Sequence, residues 1–149
     1  MPSNLGQGHK VIGLGEVLWD LLPSGPQLGG APANFAHHAH ALGANASVIT
    51  RVGNDDFGHA IRRRFEEQGI AGDSLQVDHV APTGTVTVAL SSNGVPDYVI
   101  HQKVAWDRLA VTAAAMKAVR EANAICFGTL AQRSEPSRTS IQELVAATS

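Results

Sequence analysis

The order of apolar and glycine-rich segments predicts an α/β fold, a parallel sheet with helical crossovers and a small antiparallel insertion. Three observations carry that expectation. The run Lys-Val-Ile-Gly-Leu at 10–14 is apolar and of strand length, and residues 46–52 are β-branched and strand-like. Between them, Gly29-Gly30-Ala31-Pro32 opens a stretch with helical spacing that stops at Gly43, so strand, helix and strand follow in the order of a parallel crossover. Threonine then alternates with valine through 85–90, Ser91-Ser92-Asn93-Gly94 turns the chain, and residues 98–101 return.

Taken in order, the strand at 10–14 is followed by an extended stretch, 15–22, that closes at the turn cluster Pro23-Ser24-Gly25-Pro26. Asp20 is a lone carboxylate in that apolar stretch, either a strand end facing water or an acceptor for ligand hydroxyls. Gly13-Leu14-Gly15 lacks the third glycine of a dinucleotide fingerprint, because position 18 is leucine, and no helix cap follows. At Gly29-Gly30 no Cβ keeps a ligand from the backbone. Pro32 suits a first helical turn, where its missing N–H has no partner to lose. Phe35, Ala36, Ala39 and Leu42 supply one helical face, with Gly43 as the stop. A helix N-terminus behind a glycine turn presents unpaired N–H groups, and Asn34 adds a side chain that both donates and accepts. The same turn also suits a tight strand-to-helix connection with no ligand.

Asn54-Asp55-Asp56 caps a second helix, with Phe57, Ile61 and Phe65 at spacing four and Gly69 as its stop. Arg62-Arg63-Arg64 followed by Glu66-Glu67 is a solvated helix face. Residues 76–80 form a further strand before the insertion. Thr112 caps a helix over about 112–123, residues 124–128 form another buried strand, and Ser134-Glu135-Pro136 opens a last helix burying Ile141, Leu144 and Val145. That helix runs to Ser149 with no glycine stop and no following strand. So small a parallel sheet leaves apolar surface uncovered, so the chain reads as the front portion of a longer protein or a truncated form of one.

Composition narrows the function classes. The 149 residues are 44% hydrophobic and 16% charged, as in a soluble globular domain, and one domain accounts for them. A net charge of -2 offers no basic surface to nucleic acid or an anionic membrane. The single cysteine, Cys126, excludes an internal disulfide, fits a reducing cytoplasm, and is expected to be a small buried residue. The segment 1–10 is polar and lacks the apolar core of a signal peptide, and no apolar stretch is long enough to span a bilayer. Of seven histidines, His37, His38 and His40 cluster on the first helix, but no H-E-x-x-H or cysteine pair completes a metal site, so they are read as surface residues. Neither a G-x-S-x-G elbow nor a G-x-x-x-x-G-K-[ST] phosphate loop is present.

Six segments in order carry a resemblance: Gly15-Glu16-Val17-Leu18-Trp19-Asp20, Gly29-Gly30-Ala31-Pro32-Ala33-Asn34, Arg51-Val52-Gly53-Asn54-Asp55-Asp56-Phe57-Gly58, Pro82-Thr83-Gly84-Thr85-Val86, Val104-Ala105-Trp106-Asp107 and Phe127-Gly128-Thr129-Leu130-Ala131-Gln132-Arg133-Ser134. Together they resemble the ribokinase-like (pfkB) carbohydrate kinases, and the last two are similar in particular to bacterial fructokinases. The resemblance implies a three-layer α/β/α core, here partial, with a small β-sheet lid near residues 17–22, 85–90 and 98–101. It implies transfer of the ATP γ-phosphoryl group to a sugar hydroxyl, which needs an aspartate to take the hydroxyl proton and N–H donors with Mg²⁺ to hold developing charge. Asp20 and Asn34 would hold sugar hydroxyls, Gly29, Gly30 and Ala31 would let the backbone close on the sugar, and His101 would be a weaker contact from the lid. ATP and Mg²⁺ are the implied cofactors, a small-molecule sugar the partner, the lid strands a route to a homodimer, and the cytoplasm the location.

The sequence departs from that family in one respect. The D-x-x-G-A-G-D turn that supplies the base and the anion hole is absent, and Ala71-Gly72-Asp73 does not replace it, because position 70 is isoleucine and no helix follows. No catalytic residue and no metal ligand is therefore assigned here; the base and the nucleotide-binding segments are expected beyond Ser149. Two other functions fit the same residues. One is a non-catalytic sugar-binding or dimerisation module, the other a nucleoside or 2-keto-3-deoxygluconate kinase of the same fold. Sugar binding at this turn requires Asp20 and Asn34 to face one side of the molecule.

Overall fold

Alternation along the central strands sorts the apolar side chains into two cores, one on each face of a parallel sheet. The computed structural model describes residues 8–148; positions 1–7, most of the segment read as lacking a signal peptide, and Ser149 lie outside them. Strands are β1 (Lys10–Leu14), β2 (Leu18–Leu22), β3 (Gly25–Gly29), β4 (Asn45–Gly53), β5 (Leu75–Asp78), β6 (Thr85–Leu90), β7 (Pro96–Ile100) and β8 (Ala124–Phe127). Helices are α1 (Ala31–Ala41), α2 (Asp56–Gln68), α3 (Ala113–Glu121) and α4 (Glu135–Ala146), with short 3₁₀ turns at Ala105–Arg108 and Leu130–Gln132. The first sheet is parallel, ordered β5-β4-β1-β8; the second is ordered β3-β2-β6-β7. On one face of the first sheet, Ile12, Leu14 and Ile49 pack with Trp106, Ala115 and Val119 of α3, and Ile141 and Leu144 of α4. On the other, Val48 and Val52 pack with Ala33 and Ala36 of α1 and Ile61 and Phe65 of α2. The α/β fold and its three layers are as the sequence indicates.

Helix ends follow their local chemistry. Asp55 caps α2 by accepting from the Gly58 N–H at 2.8 Å, and Thr112 caps α3 through Ala115 at 3.1 Å. Gly43 closes α1: its N–H donates to His40 O at 2.9 Å and the Ala44 N–H to Ala39 O at 3.0 Å, the paired bonds of a Schellman motif. Gly69 ends α2 with a left-handed φ of 71°.

Four expectations change. α1 buries Pro32, Ala33 and Ala36, while Leu42 is 83% exposed and Phe35 only half-buried. The reason is proximity: a Cβ at Gly13 would collide with the Pro32 carbonyl, so the first turn of α1 lies directly on β1 and only small side chains fit. Residues 15–22 do not form one strand; the chain turns at Gly15, where φ is 144°, and passes from the first sheet to the second. The second sheet is mixed rather than antiparallel, because β2 and β6 run parallel, and the stretch read as a turn contributes its edge strand β3. Finally, β8 is an edge strand with Phe127 about half exposed and Cys126 only partly buried, so the buried strand and buried cysteine expected there are not found.

Candidate functional site

The junction of the two sheets positions the site. β2 runs past the start of α1, and two glycines there make room for different atoms. Gly30, with φ 110°, is the N-cap residue of α1; a Cβ on it would stand 2.5 Å from the Glu16 carbonyl oxygen. A Cβ on Gly29 would stand 2.5 Å from Asp20 Oδ2. Gly30 thus allows the chain to turn into the helix, and Gly29 leaves space for a carboxylate.

Asp20, Gly30 and Ala31 open onto a recess of about 250 Å³. Val86, Tyr98 and Ile100 of the second sheet close its other side. Burial raises the Asp20 carboxyl above its ordinary range. Asn34 lines a different hollow, of about 590 Å³, beside Trp19, Gln27, His37 and Arg64. Neighbouring residues of a strand point to opposite faces, so Trp19 borders the Asn34 hollow and Asp20 the other. The structure therefore brings together Asp20, Gly29, Gly30 and Ala31, and turns the Asn34 side chain away from them. His101 is separated too. It follows Ile100, which faces the recess, and its ring nitrogens lie 2.7 Å from Thr85 Oγ1 and 3.0 Å from Thr87 Oγ1. With both nitrogens engaged by threonine hydroxyls, its ring braces β6 rather than facing Asp20.

Sequence reasoning passed over Glu16. It is 3% exposed, stands in the wall of the Asp20 recess, and its Oε2 has no hydrogen-bond partner. Burial pushes its carboxyl up; the amides of Glu16, Ala31 and Ala131 and the charge of Arg133 pull it back only in part. The signal was a carboxylate directly before Val17 and Leu18, both of which are buried.

The remaining motif segments brace the interior. Thr83 Oγ1 donates to Asp55 Oδ1 at 2.6 Å and accepts from the Gly53 N–H at 2.9 Å, while the Thr83 N–H donates to Asp55 Oδ2 at 2.8 Å. Burial alone would raise Asp55, but these bonds and the Gly58 amide outweigh it and hold the carboxyl below its ordinary range. Asp78 is lowered likewise: its burial is overcome by the amides of Ala81 and Val80 and the charges of Arg51 and Arg108. Arg51 Nε stands 2.9 Å from Asp78 Oδ2, an ion pair without hydrogen-bond alignment. Arg133 donates to both Asp107 oxygens at 2.8 and 2.9 Å and to the His101 carbonyl, and its guanidinium lies 4.1 Å from the centre of the Trp106 ring.

Among the described residues no group of three or more His, Cys, Asp or Glu side chains could hold a metal ion, His37, His38 and His40 included. Two carboxylates also make the recess a poor host for a polyphosphate. The residues present do not fit a nucleotide–Mg²⁺ site. Among the described residues no helix is long and apolar enough to cross a membrane.

A helix-flanked parallel sheet, a second mixed sheet beside it and a glycine-gated junction between them define a ribokinase-like α/β domain. The chain belongs to the pfkB family of carbohydrate kinases, whose family model matches residues 26–147. It is 28% identical over 152 residues to probable fructokinase-3 of Arabidopsis thaliana, a match covering 93% of this chain and 44% of that protein. An uncharacterized sugar kinase from Pyrococcus horikoshii, solved in complex with ATP, superposes with a TM-score of 0.78 at 27% identity over 91% of this chain and 48% of its own. The fructokinase of Halothermothrix orenii gives a TM-score of 0.82 at 23% identity over 93% of this chain and 52% of its own. The chain spans about half the length of the relatives it matches.

Proposed function

We propose that this chain is the sugar-binding portion of an ATP-dependent, fructokinase-like carbohydrate kinase. Asp20 accepts hydrogen bonds from sugar hydroxyls, Gly29, Gly30 and Ala31 admit the sugar to the backbone at the start of α1, and the second sheet acts as the lid. Asn34 lines the other hollow, so the expected shared grip of Asp20 and Asn34 is not met, and the reading rests on Asp20 and the backbone at the start of α1. The observation that carries this reading is the Asp20 carboxylate set against Gly29 and opening onto the same recess as the α1 N-terminus. Family membership and the fructokinase relatives support it. The base and the nucleotide–Mg²⁺ site belong to segments beyond this chain, so it has no catalytic residue of its own. The chain works in the cytoplasm and pairs with a second copy through the second sheet.

Saturation-transfer NMR with fructose, ribose, 2-keto-3-deoxygluconate and adenosine tests the substrate class. Fructose is expected to bind weakly and in preference to the others. Asp20→Asn should weaken it about 10- to 100-fold, as for loss of a hydrogen bond to a charged group. A preference for adenosine or 2-keto-3-deoxygluconate would point to those kinases instead. A coupled assay on the chain should detect no ATP turnover; turnover would overturn the assignment of the chemistry to other segments.

A further inference from the structure

Glu16 stands apart among the buried carboxylates. Asp78 and Asp107 are each met by cations: Arg51 and Arg108 stand against Asp78, whose Oδ2 lacks a hydrogen bond but has Arg51 Nε at 2.9 Å, and Arg133 holds both oxygens of Asp107. Glu16 is nine-tenths buried or more and keeps one oxygen, Oε2, without a partner, in the wall of the recess that holds Asp20. An unsatisfied buried carboxylate oxygen is costly, and the cost is offset when a ligand donor reaches it. The other oxygen, Oε1, lies 4.0 Å from where a Cβ on Gly128 would stand, which places the carboxylate between the start of α1 and the end of β8. Rotation about the last side-chain bond is soft, so either oxygen can be presented to the recess.

We propose that Glu16 is a specificity-determining residue, its carboxylate accepting a hydrogen bond from one hydroxyl of the sugar whose neighbouring hydroxyl Asp20 holds. The inference rests on the sugar-binding reading of the recess. It extends that reading from one carboxylate to two, and so from recognition of any polyol to recognition of a particular pair of hydroxyls. A ligand lacking one of the pair leaves Glu16 with its orphan oxygen, and such a site rejects the deoxy analogue more strongly than an apolar pocket rejects an extra group.

The test uses the ¹³C-labelled chain titrated with fructose and each of its monodeoxy analogues, following the Glu16 carboxyl resonance assigned by Glu16→Gln. Fructose is expected to move that resonance and to lower the Glu16 pKa, because a hydroxyl donor favours the charged form. One deoxy analogue should do neither. In Glu16→Gln, shown folded by its melting curve, fructose should bind about 10-fold weaker or worse, and discrimination against that analogue should collapse. Asp20→Asn should weaken both sugars while leaving that discrimination in place. Fructose binding that depends on Asp20 but leaves the Glu16 resonance still, or discrimination that survives Glu16→Gln, overturns this inference alone. If none of the sugars binds the wild-type chain, the sugar-binding reading falls and this inference falls with it.

Discussion

The Glu16 carboxyl ties stability to pH in the direction opposite to most acidic residues. Its folded pKa is raised by burial, so the folded chain holds the proton more tightly than the unfolded chain does. Stability from this group is full below the ordinary carboxylate range, about pH 4, and falls as pH rises through the raised value. Asp55 and Asp78 are lowered, so their contribution is full above about pH 4 and is lost only as pH falls through their depressed values. Urea unfolding followed from pH 4 to 7 should therefore show a decline in the wild type that Glu16→Gln reduces, the Asp20 carboxyl, raised in the same direction, supplying the remainder. A slope unchanged by the substitution would show that Glu16 titrates alike in both states. A second single-residue case is Gly84, where a Cβ would collide with Trp106 Nε1. Trp106 is fully buried beneath Arg133 and has no room to yield, so Gly84→Ala should cost about 1–3 kcal/mol in the same assay.

Among the elements, α2 and the segment before β6 are held as one unit by the Thr83 hydroxyl. It joins the N-cap Asp55 to the Gly53 amide, so Thr83→Val leaves the buried Gly53 N–H unpaired and takes one of two donors from Asp55 Oδ1, which keeps the Gly58 amide. A loss of roughly 1–3 kcal/mol follows, and the loss should shrink in an Asp55→Asn background if the two act together. The cap itself was legible, because Asn54-Asp55-Asp56 before a spaced apolar ladder carries its own local chemistry. The face of α1 was not: its burial is set by how closely Pro32 approaches Gly13, a contact between distant positions, and alanine carries no strong periodic signal. β3 was hidden for a related reason. Gly25, Pro26 and Gly29 are turn residues by local preference, and they form a strand only because β2 pairs with them at a sheet edge, where proline costs no ladder bond. In the site, Asp20 and the glycines were readable from their positions. The side to which Asn34 turns depends on rotamer and neighbours that the sequence does not encode locally.

At the scale of the whole molecule, the second sheet has two unlike edges. β3 is blunted by Pro26 and flanked by glycines, whereas β7 ends the sheet with Tyr98, Val99 and Ile100 exposed beside Leu90 and Val95. An exposed, apolar, unpaired strand edge is a template for another strand, and the nearest source of one is a second copy of the same chain. Tyr98 and Ile100 border the Asp20 recess, so pairing along β7 would bring the partner's second sheet close to the recess and shield it from water. Val99 points to the other face and is the place to break the contact without touching the recess. Sedimentation equilibrium should show a dimer that Val99→Lys returns to monomer, with fructose binding to the Asp20 recess of the monomer retained. A wild-type chain that remains monomeric at high micromolar concentration would leave β7 as a bare edge with no self-pairing role.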